Sequence, residues 1–300
     1  MGVRWGSGSR HAGKTHALLV ATLSVDLAYT RYADIGVALL QDTAGGGISA
    51  QLISVPLSGT PTVDALAQWL DDTARANDVR CLLIDGPLGW KSPASTEPHA
   101  RHSERALHTP GKTGRPPDGV KPRPYLAFTL FSIALFERLT ARSWVLPSAD
   151  DVAHGALGRD ARFVSETFPT AAWRRLGLPP LAGKQRSRDQ RLAVADALGR
   201  LQDLVSLRVD RAPNHDELQA VVAGLAGVWW ELGEKNRVQW HGEAPFRLDG
   251  AWHEGYIITP EQPRVPHATI HDRPVDSPSI PDTQRGLSRR RRVRATDAIA

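Results

Sequence analysis

ALLVATLSVDLA (17–28), IGVALL (35–40) and AQLISVPL (50–57) follow one another through short links that include Asp42 and Gly45–Gly47. In the first stretch Leu23, Val25 and Leu27 alternate with Ser24 and Asp26, the period of a strand with two unlike faces. Three such runs joined by glycine-rich links predict an antiparallel meander. Thr60-Pro61 then opens a helix that places Val63, Leu66, Ala67 and Leu70 on one side, with proline suited to its start. CLLIDGPLG (81–89) follows as a buried strand ending at Asp85 and a Gly-Pro turn.

Beyond this point the pattern mixes helices and strands. Helices are expected near 100–108 and 125–141, around a loop (109–124) that holds five prolines. FVSETFP (163–169) reads as a short strand, and 184–206 and 215–230 read as helices. VQWHG, FRLDG and EGYIITP read as strands near the C-terminal edge. The order strand-strand-strand-helix-strand, then a mixture, predicts an α/β fold with a mixed sheet: an antiparallel three-strand meander plus parallel strands, flanked by helices.

The chain has 300 residues, 41% hydrophobic and 23% charged, which excludes a collagen, a coiled coil and a wholly disordered chain. One cysteine, Cys81, excludes a disulfide scaffold and a cysteine-based zinc site. No apolar run approaches the roughly 20 residues of a membrane span. We therefore expect a cytoplasmic protein with no membrane partner. The formal net charge is +5, but residues 1–16 carry Arg4, Arg10 and Lys14 against no acid, and residues 261–300 carry eight arginines against five acids. The stretch 17–260 is left close to neutral at −1. Any grip on a phosphate backbone must then come from local patches or from the ends. Residues 261–300, rich in proline and arginine, are expected to be a disordered tail, and 1–16 a flexible basic extension.

That extension contains Gly8-Ser-Arg-His-Ala-Gly13-Lys14-Thr15, a letter-for-letter match to the phosphate-loop pattern. The pattern works only between a buried strand and a helix, whose amides then face the phosphates. Only seven residues precede Gly8, and a strand-like run follows. Nucleotide hydrolysis through Gly8–Thr15 is accordingly the third reading of the chain.

Four acids stand at element ends: Asp26, Asp85, Glu166 and Asp216. Three of them have an ordinary structural reading. Asp26 suits an exposed polar face, Asp85 a turn cap, and Asp216 the first turn of a helix, where Asn214 with Glu217 or Asp216 with Gln219 has capping-box spacing. If the sheet gathers them, carboxylate oxygens of this kind suit Mg²⁺ or Mn²⁺. Such ions can activate water and stabilise the leaving oxygen of a phosphodiester. Arg101 and Arg105, one helical turn apart, and Lys184 at a helix start are the candidate phosphate contacts.

The stretches SVDLA (24–28), LIDGPLG (83–89), RHSERALH (101–108), ETFPTAAWRRLGLPPLAGK (166–184), HDELQAVVAGLAG (215–227) and EGYIITP (254–260), in this order, resemble the family called domain of unknown function 429. That family is a predicted nuclease group of the RNase H-like superfamily, and the resemblance covers roughly residues 20–260. It implies an RNase H-like domain over 17–260, with Asp26, Asp85, Glu166 and Asp216 as the acidic constellation for metal and catalysis. The family's last motif commonly carries two acids three residues apart, and here the second position is Gln219. The expected activity is metal-dependent hydrolysis of nucleic acid, DNA or RNA. The alternative is a non-catalytic nucleic-acid-binding or scaffold protein with a degenerate site, which Gln219 and the near-neutral body favour.

Overall fold

The computed structural model describes residues 20–114, 120–155, 161–184 and 188–262. The readings of 1–16, of Gly8–Thr15 and of nearly all of 261–300 lie outside the described residues. The meander is present as β1 (Ala21–Asp26), β2 (Gly36–Asp42) and β3 (Ile48–Leu52). Then come α1 (Val63–Ala76), β4 (Cys81–Asp85), α2 (His102–Leu107) and a small pair, β5 (Lys112–Thr113) and β6 (Val120–Lys121). The chain continues through α3 (Leu126–Thr140), α4 (Ala149–His154), β7 (Phe163–Thr167), α5 (Pro169–Arg175), α6 (Arg188–Leu204) and β8 (Leu207–Val209). It closes with α7 (His215–Glu231) and the hairpin β9 (Val238–Leu248) and β10 (Ala251–Pro260).

Eight strands form one sheet in the order β8-β3-β2-β1-β4-β7-β10-β9. β2 is antiparallel to β1 and β3, while β4, β7 and β10 run parallel to β1 in succession. The run β3-β2-β1-β4-β7 with β2 alone reversed is the RNase H-like arrangement. Two features of this sheet depart from the sequence reading. VQWHG and FRLDG belong to one strand, β9, which tolerates Pro245 because it lies at the sheet edge. β8, unforeseen at three residues, extends the sheet beyond the meander by pairing with β3.

The two faces of the sheet are packed differently. Leu23, Val25, Val37, Leu39, Leu82, Ile84 and Val164 face α1 and α3 in the main core. On the other face, Ala38 and Leu40 pack on α7, where Leu218, Val221, Val222 and Leu225 are fully buried. α7 lies unusually close to β1 and β2. A Cβ on Gly224 would stand 2.4 Å from Leu40 and 2.9 Å from Ser24, and one on Gly227 would stand 2.5 Å from Thr22 and 2.7 Å from Cys81. Small residues on both surfaces thus seat the helix directly on the strands. Cys81 is buried in that contact. Among the described residues no helix is long and apolar enough to cross a membrane.

Candidate metal centre

Asp26 and Asp85 are the last residues of two neighbouring parallel strands and are paired in register. Thr22 and Ser24 on β1 face α7, as does Cys81 on β4. By alternation Asp26 and Asp85 emerge on that same side. α7 starts there. Its N-cap is Asn214, whose Oδ1 accepts from the Glu217 N–H at 2.9 Å, while Glu217 Oε2 accepts from the Asn214 N–H at 2.8 Å. Because this capping box satisfies the helix end, Asp216 is released from capping. Gly36, opposite Asp26 in the sheet, completes the approach: a Cβ there would stand 2.2 Å from the carbonyl group of Asp216.

Carboxylate oxygens of Asp26 and Asp216 and a ring nitrogen of His215 lie within 4.8 Å of one another. Lys184 Nζ is 2.7 Å from Asp216 Oδ2, and His215 Nδ1 is 3.1 Å from Asp216 Oδ1. His215 Nε2 donates to the Ala182 carbonyl at 3.1 Å, which fixes the ring. His215 opens the stretch HDELQAVVAGLAG (215–227), but the sequence reading gives it no role. Only its position beside Asp216, at the first residue of α7, was available as a signal.

The charges do not balance. Burial pushes Asp26 well above the usual carboxylate range, and the charges of Asp85 and Asp216 push it further, with Lys184 opposing. Burial likewise drives Asp85 up to about 7, against a hydrogen bond shared with Asp26 and with the charge of Glu166 adding to the rise. Without a cation the pair therefore keeps a proton near neutrality, since two adjacent carboxylates resist joint ionisation. Burial also acts to raise Asp216, but the hydrogen bonds and charges of His215 and Lys184 outweigh it and hold Asp216 below its ordinary value.

Glu166 stands elsewhere. In the β4–β7 register Asp85 pairs with Thr167, and Glu166 pairs with Ile84. Glu166 therefore lies on the face opposite to Asp26, and Thr167 takes the position beside Asp85. Its carboxylate is held bidentately by Arg101, with both N–H···O distances at 2.8 Å, and accepts the Leu88 N–H at 3.1 Å. The expectation that Arg101 contacts phosphate is corrected: its side chain is fully buried. Its guanidinium bonds Glu104 Oε1 at 3.2 Å as well as Glu166. Glu104 also accepts from the Thr113 N–H and hydroxyl, and the buried Glu254 accepts from the Ser92 and His102 amides. Burial raises Glu166 in spite of Arg101.

Of the remaining candidates, Arg105 is exposed and pairs with Glu97. Lys184 is half exposed and belongs to the acidic cluster through Asp216. Gln219 Oε1 accepts from the Trp173 indole at 2.7 Å, so its oxygen is already engaged.

Between α3 and the ends of β4 and β7 lies a cleft of about 460 Å³. Asp85, Glu104 and Glu166 line it, together with Tyr29, Phe128 and Phe168.

No curated protein sequence matches the chain significantly. Among solved structures it is similar to the yeast mitochondrial Holliday junction resolvase Ydc2, at 10% identity and a TM-score of 0.38, over 72% of this chain and 80% of that one. It is also similar to Thermus thermophilus RuvC, at 10% identity and a TM-score of 0.35, over 71% and 97%. The T. thermophilus RuvC complex with a Holliday junction substrate gives 9% identity and a TM-score of 0.32, over 71% and 96%. Likeness at this level carries no residue's role across. Sequence is more informative: residues 33–243 match the family described as protein of unknown function, DUF429, and the chain belongs to that family.

Proposed function

We propose that this protein is a divalent-metal-dependent nuclease that hydrolyses phosphodiester bonds. One observation carries the reading: Asp26, Asp85 and Asp216 meet at the ends of β1 and β4 and the start of α7, with negative charge that the described residues leave undercompensated. A mixed set of carboxylate oxygens and one imidazole nitrogen fits Mg²⁺ or Mn²⁺. Such an ion, when bound, supplies an activated water and a positive charge for the leaving oxygen.

The protein's own part follows from its groups. Asp26, Asp85 and Asp216 would hold the ion in place of the proton shared by the first two. His215, fixed by the Ala182 carbonyl through Nε2, turns Nδ1 toward the acids as a ligand or an orienting group. Lys184 neutralises Asp216 in the metal-free protein and is free to meet a phosphate oxygen once another cation takes that carboxylate. Arg101 holds Glu166, which accepts the Leu88 N–H and so fixes the turn that follows Asp85. Their proposed role is positioning.

A screen with Mg²⁺ and Mn²⁺ over single-stranded, duplex, hybrid and branched DNA and RNA tests this. Cleavage by wild type that is lost in Asp85→Asn and Asp216→Asn is the expected result. Equal background cleavage in all three would overturn it. The engagement of Gln219 by Trp173 favours the second reading, a nucleic-acid-binding protein without catalysis, which would bind these substrates and cut none. A cytoplasmic location remains part of the proposal, supported by the single buried Cys81.

A further inference from the structure

We propose that the cleft beside Asp85 receives one unstacked nucleobase of the strand to be cut, so that unpaired nucleotides are preferred over perfect duplex. This rests on the nuclease reading for its placement. The cleft begins where the acidic cluster ends, because Asp85 belongs to both. Its volume, about 460 Å³, falls within the roughly 300–1,000 Å³ typical of small-molecule sites and admits one planar base with its sugar.

The walls and floor select the occupant. Tyr29, Tyr125 and Phe128 form an aromatic wall, with ring centroids 6.2 Å apart for Tyr29 and Phe128 and 6.4 Å for Tyr125 and Phe128. Tyr125 is 38% exposed although large and apolar. Base–aromatic stacking is tolerant of sequence because every base has a π-face. The floor carries Glu104 and Glu166, whose oxygens already accept from Arg101, Leu88 and Thr113, so that two carboxylates share one guanidinium and the floor disfavours a phosphate. A neutral base meets no such repulsion. The backbone stays outside. There Arg123, exposed on the turn that leads to Pro124 and Tyr125, pairs with no described carboxylate. Unstacking a base costs free energy, least where the base is already unpaired, and the preference follows from that.

The test uses the full chain without divalent metal, so that binding is read apart from cleavage. The probes are a duplex with a single-base bulge of 2-aminopurine and the same duplex fully paired. Wild type should quench the bulged probe and bind it at least tenfold more tightly. Tyr125→Ala and Phe128→Ala should lose about tenfold of that preference, the effect of one base–aromatic stack, while Tyr125→Phe keeps it. Thermal melts of each variant separate loss of fold from loss of stacking, and Tyr125, being exposed, is expected to leave the fold intact. Unchanged quenching and preference in folded Tyr125→Ala and Phe128→Ala would overturn the pocket, even if the protein cuts DNA or RNA. Pocket-dependent preference without cleavage under any metal would overturn the nuclease reading and leave the pocket. No binding to either probe would overturn both.

Discussion

Two clusters of carboxylates sit near the same end of the sheet, and they are built on opposite principles. On one face Glu104, Glu166 and Glu254 surround the buried Arg101, and each accepts hydrogen bonds from amides, a hydroxyl or the guanidinium. On the other, Asp26, Asp85 and Asp216 face one half-exposed lysine and one histidine; burial drives two of the three up, and the charges of Asp85 and Asp216 drive Asp26 further. In the first cluster every carboxylate is supplied with donors, although Arg101 Nε finds none of its own among the described residues and burial still raises Glu166. The second lacks positive charge. Buried charge is stable when its donors are supplied and strained when they are not. The difference therefore separates acids that hold the fold from acids available for chemistry.

Substitutions that invert this contrast should have unequal effects. Arg101→Met leaves three buried carboxylates without their cation and should destabilise by about 3–5 kcal/mol, or prevent folding, as read from urea midpoints. A small effect would place Arg101 outside the structural cluster. Next in size, Gly36→Ala forces a methyl group against the start of α7 and should cost about 1–3 kcal/mol. It should also weaken metal-induced stabilisation, because Asp216 moves with the helix.

Asp85→Asn should act in the opposite direction. Its folded pKa, about 7, lies above its unfolded value, so ionisation is penalised in the folded protein. The penalty is absent below the unfolded value of about 4 and complete above 7. In metal-free buffer the variant should match wild type near pH 4 and exceed it at pH 8 by on the order of 4 kcal/mol. With metal at a hundred times its Kd, wild type should gain about 2.7 kcal/mol and the variant less. Equal melting temperatures in every condition would remove the strained pair. The smallest effects belong to Lys184→Ala, whose half-exposed ion pair should contribute less than about 1 kcal/mol. Gln219→Asp should lose about 1 kcal/mol with the Trp173 hydrogen bond, measured by the same denaturation.

Much of the architecture was legible in local sequence. Alternation marked β1, glycines marked the links of the meander, and capping-box spacing from Asn214 or Asp216 marked the start of α7. These features depend on neighbours within a few residues, where periodicity and capping chemistry act. The acids were legible as element ends but not as members of a group. His215 was missed because an isolated histidine has no periodic signature. Arg101 was misjudged because the partners that bury it lie far along the chain, Glu166 at a separation of 65 residues.

By itself, then, the sequence determined the meander, the buried strand that ends at Asp85, the apolar α7 with its cap, and the near-neutral body between basic ends. The tertiary structure alone decided which acids share a site. Asp26 and Asp85 stand together because β1 and β4 pair in register, whereas Glu166 is paired with Ile84 and so points to the other face. A shift of one residue in register reverses every side chain of a strand. Register between strands so distant in sequence is fixed by packing across the whole sheet.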